Sequence, residues 1–127
     1  MRSSITHTRT LHTSADVVWH LITDTQTWPR WGPSVRSVDF PERYIDAGAT
    51  GRICTPFGLW LPFAIHTFDP PIYWDWKVGG IMATGHGVQA IGPDRCRLTF
   101  SVPAWGVGYG VVCRAALSRI ERLLEQA

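Results

Sequence analysis

Lysine is almost absent from this chain. Lys77 is the only one, and arginine supplies the rest of the 12 basic residues. The arginines are scattered, and against 10 acidic residues they leave a formal charge of only +2. No basic stripe marks a nucleic-acid surface, so no nucleic-acid partner is expected. Cysteine is scarce too. Cys54, Cys96 and Cys113 are odd in number and lack C-x-x-C spacing, which argues against a disulfide framework or zinc site and for buried free thiols. No metal and no other cofactor is expected. No apolar run approaches the roughly 18 residues that span a membrane. The opening MRSSITHTRT lacks the apolar core of a secretory signal. The expectation is a soluble, cytoplasmic protein without stable membrane insertion, one domain over residues 1–127.

What the chain does have is tryptophan, seven residues of it, in a sequence that is 45% hydrophobic. That composition suits a packed core and excludes disorder. The order of elements is equally telling. Thr6, Thr8 and Thr10 recur at period two, which predicts a first strand over residues 4–12. Ser14 is a good helix N-cap and Asp16 suits a first turn. Val17, Val18, Leu21 and Ile22, with Trp19, then form an apolar helical stripe. Thr27 can cap a second short turn that carries Pro29.

From Val35 onward the signals are strand-like. Runs at 35–40, 52–55 and 59–68 are separated by Pro41, Gly48, Gly51, Pro56 and Gly58, and Asp69-Pro70-Pro71 makes a stiff corner. Ile72 to Val78 alternates, placing Trp74, Trp76 and Val78 on one face and Tyr73, Asp75 and Lys77 on the other. Gly79-Gly80 turns the chain into a strand at 83–91, with His86, Val88 and Ala90 inward. Gly92-Pro93-Asp94 leads to a last strand at 95–102. The period then changes to 3.6: Tyr109, Val112, Cys113, Ala116, Leu117, Ile120, Leu123 and Leu124 share one side of a terminal helix. Its glycine-rich approach, WGVGYG, is expected to be frayed, kinked or closely approached by another element.

Several stretches carry a resemblance. SADVVWHLITDTQTWPRW pairs a Val-Trp helix with a Trp-Pro-x-Trp-like turn. GATGR, FDPPIYWDW and GHGVQAIGPDRCRLTF follow in order. Together they resemble the START/Bet v 1-like (SRPBCC) superfamily, in its bacterial polyketide cyclase/dehydrase-like branch. The resemblance covers nearly the whole chain. It implies an α+β helix-grip fold: a curved seven-stranded antiparallel sheet around a long C-terminal helix, with two short helices after the first strand. It also implies a pocket between helix and sheet for a small hydrophobic molecule, aromatic, polyketide-like or lipid-like. No nucleophile or metal motif is common to the superfamily, so none transfers by position.

The residues themselves nominate a site. Trp74 and Trp76 should point inward from the sheet, and Trp28 and Trp31 should sit near the mouth. Any of the seven tryptophans, including Trp19, Trp60 and Trp105, also serves as plain core. An indole offers a large apolar face and one N–H donor, which suits either role. His86 is the best polar candidate, able to exchange protons near neutral pH, or else a buried, hydrogen-bonded imidazole. His66 shares a face with Phe68, in a run whose phase Pro62 and its large neighbours leave open, and it could flank the same ligand as His86 without forming a metal pair with it. Tyr109, at the start of the helical stripe, can bond a ligand oxygen or simply pack. Three functions follow: a binding protein, a cyclase or dehydratase using His86 with Tyr109, or an interaction module with a filled core. The chain is expected to be a monomer or a homodimer.

Overall fold

The computed structural model describes residues 4–125, without the side chains of Ser4, Ala104, Trp105 and Val107. The core expectation for Trp105 therefore lies outside what is described. Strand β1 (Ser4–Leu11) is followed by helices α1 (Ala15–Thr23) and α2 (Trp28–Trp31). Six strands come next: β2 (Ser37–Asp39), β3 (Thr50–Cys54), β4 (Trp60–Asp69), β5 (Tyr73–Val78), β6 (Ile81–Gly92) and β7 (Arg95–Pro103). A 3₁₀ segment (Ala104–Tyr109) leads into the long helix α3 (Gly110–Glu125). The strands form one sheet in the order β1-β7-β6-β5-β4-β3-β2, and every neighbouring pair is antiparallel. This is the expected α+β helix-grip architecture. Among the described residues no helix is long and apolar enough to cross a membrane.

Local chemistry explains most boundaries. Ser14 caps α1 by accepting a hydrogen bond from the Val17 N–H at 3.3 Å. The buried side of α1 is Val18, Trp19, Ile22 and Thr23, whereas Val17 is 46% exposed. Residues 18, 19, 22 and 23 span one helical face, so Val17 falls beyond its edge. Thr27 does not cap α2 with its side chain. Its own backbone is helical (φ −90°, ψ −17°), and its hydroxyl turns back to the carbonyls of Leu21 and Asp24 at 2.7 and 2.8 Å. Gly79 and Gly80 have φ of +60° and +79°, the pair of left-handed residues that a tight β5–β6 hairpin needs.

Helix α3 buries Cys113, Ala116, Leu117 and Ile120. It is tied to β1 by Arg9, which donates to Ser118 at 3.1 Å and pairs with Glu121 at 3.0 Å. Its approach is kinked at Gly106 (φ −96°, ψ 31°). A Cβ on Gly110 would lie 3.0 Å from His7 Nε2, so the helix starts hard against β1. Cys54, Cys96 and Cys113 are all buried and free.

Irregularities in β4 and β6 re-aim side chains. The β4–β5 register shifts between Ile65 and Thr67. Ile65 is buried, and Phe68 packs beside Trp19, ring centroids 5.8 Å apart. The extra residue at this bulge puts His66 outside, away from the face of Phe68. The β5–β6 register shifts between Asp75 and Lys77, opposite Ala83 and Thr84, and Thr84 comes into phase with His86 on the inner face.

Candidate functional site

Sheet, α2 and the start of α3 meet around a cavity of about 40 Å³. A volume on the order of 10–15 Å³ holds one water, so this space admits a small group and not a ring. Its floor comes from the inner face of the sheet, with Trp74, Trp76, Thr84, His86 and Phe100. Trp28 and Trp31 of α2 form a wall. Ser34, in the loop after α2, and Tyr109, just before α3, close the outer side. Among the described residues no lysine, arginine or carboxylate lines it.

Aromatic rings dominate the floor. Trp74 lies between Trp28, with ring centroids 5.5 Å apart at 13°, and His86, at 3.9 Å and 20°. Trp76 meets Trp74 edge-on at 5.6 Å and 77°. Phe100 meets His86 at 5.0 Å and 78°. Trp28 is deeper than the mouth position expected for it: it is 1% exposed, and its N–H donates to the Ile22 carbonyl at 2.9 Å. Trp31 is buried as well and contacts Phe100 at 5.8 Å.

A neutral hydrogen-bond chain runs through the floor. His86 Nδ1 lies 3.2 Å from the Trp74 carbonyl, which only accepts, so Nδ1 carries the proton. Nε2 is then the acceptor, and the Thr84 hydroxyl donates to it at 3.1 Å. Trp76 Nε1–H donates in turn to Thr84 Oγ1 at 3.1 Å. Burial lowers the His86 pKa from 6.5 to about 3, the bond to the Trp74 carbonyl and the charge of Asp75 offsetting only part of that. His86 is therefore a neutral imidazole at physiological pH, with both nitrogens engaged.

Tyr109 shares a hydrogen bond of 2.6 Å with Ser34 Oγ. Burial pushes its phenol pKa up, although the bond to Ser34 acts the other way. That contact joins the α2 loop to the start of α3 across the outer side of the cavity. Cys113 also lines the space, and burial pushes its thiol to about 11, which keeps it protonated.

Six of the seven nominated residues thus surround one cavity: Trp28, Trp31, Trp74, Trp76, His86 and Tyr109. His66 is not among them. Its side chain is 52% exposed on the outer face, 3.2 Å from Asp75. Trp60, 42% exposed, is also outside, under the Arg52 guanidinium at 5.0 Å. Two lining residues were not nominated. Thr84 had a signal, since it precedes His86 by one strand period. Ser34 had none, because a loop has no periodicity to read.

A family model described as polyketide cyclase/dehydrase and lipid transport matches residues 2–126. No curated protein matches the chain by sequence. Several solved structures share the fold. A START superfamily protein from Mycobacterium smegmatis is 16% identical, covers 97% of each chain, and superposes with a TM-score of 0.75. The Zhui aromatase/cyclase from Streptomyces sp. R1128 is 15% identical over 81% of this chain and 67% of its own, with a TM-score of 0.62. The protein NE0264 from Nitrosomonas europaea is 15% identical over 97% and 94%, with a TM-score of 0.73.

Proposed function

Because the chain belongs to the polyketide cyclase/dehydrase and lipid transport family, we propose that it binds a small hydrophobic molecule between the sheet, α2 and the start of α3. The observation that carries this reading is the lining. Large aromatic faces converge with a few engaged polar groups on one space, and none of the described lining residues is Lys, Arg, Asp or Glu. That is the composition of a small-molecule site. A volume of about 40 Å³ is far below the roughly 300 Å³ at which ligand pockets begin. Binding therefore requires the site to widen, and the Ser34–Tyr109 hydrogen bond, worth about 1 kcal/mol net, opposes that only weakly.

Acid–base chemistry at His86 is the second reading, favoured by His86 and Tyr109 lining the same cavity. It is the weaker one. With a pKa near 3 the imidazole is a weak base and carries no acidic proton to give from Nε2 at neutral pH, and its Nε2 already accepts from Thr84. If turnover of a true substrate exists, His86→Ala abolishes it while largely sparing affinity, and unchanged turnover removes the assignment. The interaction-module reading draws on the small volume alone.

The test is native mass spectrometry of the freshly purified protein, with denaturing extraction and titration of apolar aromatic compounds. The expected result is one small molecule per chain, lost in Ser34→Trp, which plugs the outer side. A Ser34→Trp variant that binds as well as the parent, or a parent that binds nothing, overturns the cavity reading and favours a filled core.

A further inference from the structure

We infer that this cavity selects neutral, planar carbonyl compounds, and that Trp74 Nε1–H is the donor that reads the carbonyl oxygen. The inference rests on the ligand-binding reading above and names what that site takes.

Four tryptophans line the space, and three of their N–H groups are spoken for. Trp28 donates to the Ile22 carbonyl, Trp31 to Thr27 Oγ1 and Trp76 to Thr84 Oγ1. Trp74 is wholly buried, yet its Nε1 has no hydrogen-bond partner among the described residues. Buried donors are nearly always paired, so an orphan at a cavity wall points to an acceptor that arrives from elsewhere. Trp28 and His86 both stack against the Trp74 ring. Trp74 lines the cavity, and Nε1 is the one polar atom of its side chain.

The acceptor is neutral. Among the described residues no cation lines the cavity to balance a carboxylate or phenolate, and burying an unpaired charge carries a large penalty. The same surroundings hold His86 uncharged. The acceptor is also small at its tip, since about 40 Å³ admits a carbonyl and its adjoining atoms. The flat body of the ligand lies behind it, in the outer part of the site that opens when Ser34 and Tyr109 separate. Flat walls favour a flat body.

The experiment follows the indole N–H signals of the intact protein carrying nitrogen-labelled tryptophan. The Trp74 signal is assigned by cross-relaxation with the His86 ring stacked 3.9 Å away, so no variant has to fold. Three probes are titrated: acetophenone, its isostere α-methylstyrene in which C=CH₂ replaces C=O, and benzoate. Acetophenone is expected to shift the Trp74 N–H proton downfield. It should bind about tenfold more tightly than α-methylstyrene, or about 1.4 kcal/mol, and at least about tenfold more tightly than benzoate. Equal binding of acetophenone and α-methylstyrene with an unmoved Trp74 N–H overturns the inference and leaves the cavity reading standing. Benzoate binding as tightly as acetophenone overturns the requirement for neutrality. If no probe moves any cavity indole up to its solubility limit, both this inference and the ligand-binding reading fail.

Discussion

Trp74 and Asp75 are neighbours in one strand, and each anchors a polar network on its own side of the sheet. The inner network is Trp76, Thr84, His86 and the Trp74 carbonyl, and it carries no charge. The outer network is centred on a carboxylate. Asp75 accepts from the Thr67 N–H at 2.8 Å and from the Tyr73 hydroxyl at 2.9 Å, and sits 3.2 Å from His66 Nδ1. Each network contains one histidine. His86 is 2% exposed and held neutral, while the His66 side chain is 52% exposed beside an anion. The same residue type thus faces opposite electrostatic conditions two strands apart. Away from water a neutral, hydrogen-bonded chain carries a far smaller penalty than a charge, whereas at the surface a charge can be shared with solvent.

The largest way to break this contrast is at its inner anchor. Trp74→Ala should destabilise the fold by about 3–5 kcal/mol, because it removes a buried aromatic and leaves a void that rigid neighbours cannot fill. Urea denaturation measures it, and a loss near 1 kcal/mol would mean that the ring stack is dispensable.

The second test uses pH. His86 has a folded pKa near 3 against 6.5 for the ordinary imidazole. Between those values the unfolded chain binds the extra proton, so the His86 contribution is fully present above pH 6.5 and is lost as pH falls towards 3. The slope is about 1.4 kcal/mol per pH unit. His86→Gln keeps a donor and an acceptor in place and should remove that slope. Parallel stability curves for parent and variant over this window would contradict a buried neutral imidazole.

The outer network sharpens the comparison with smaller effects. Asp75→Asn should lose about 1–2 kcal/mol, since it replaces one of the two acceptor oxygens with a donor. A cost as large as that of Trp74→Ala would make the outer face the equal of the inner one. Smallest of all, His66→Ala should change stability by no more than about 0.5 kcal/mol, because a polar contact made by an exposed side chain is weakened by competing water. It should also leave ligand affinity unchanged, and a tenfold loss of affinity would return His66 to the site.

The inward phase of Trp74 and Trp76 was legible from the alternation of β5, and that of His86 because its part of β6, from Gly85 to Ala90, pairs in regular register with β7; the sheet itself was legible from the family resemblance. The long helix was legible from its 3.6-residue stripe. His66 was misplaced because a bulge adds one residue to β4, and a single insertion inverts every later side chain without altering composition. Trp60 and Trp28 show a second limit. Hydrophobicity suggests core for Trp60, which instead opens a strand on the outer face, while Trp28, expected near the mouth, is buried against the sheet's inner rings. The Ser34–Tyr109 contact spans 75 residues of sequence, and no local pattern announces a bond of that range.

The stack of Trp28, Trp74 and His86 also gives the protein an optical voice. Indoles packed with centroids 5–6 Å apart exchange excitation energy, so light absorbed by one is shared among Trp28, Trp74 and Trp76. A protonated imidazole against the Trp74 face would quench that emission, and a ligand wedged beside it would alter the ellipticity of the coupled bands. Fluorescence and near-ultraviolet circular dichroism of the unmodified chain therefore report directly on the interior, with no dye attached.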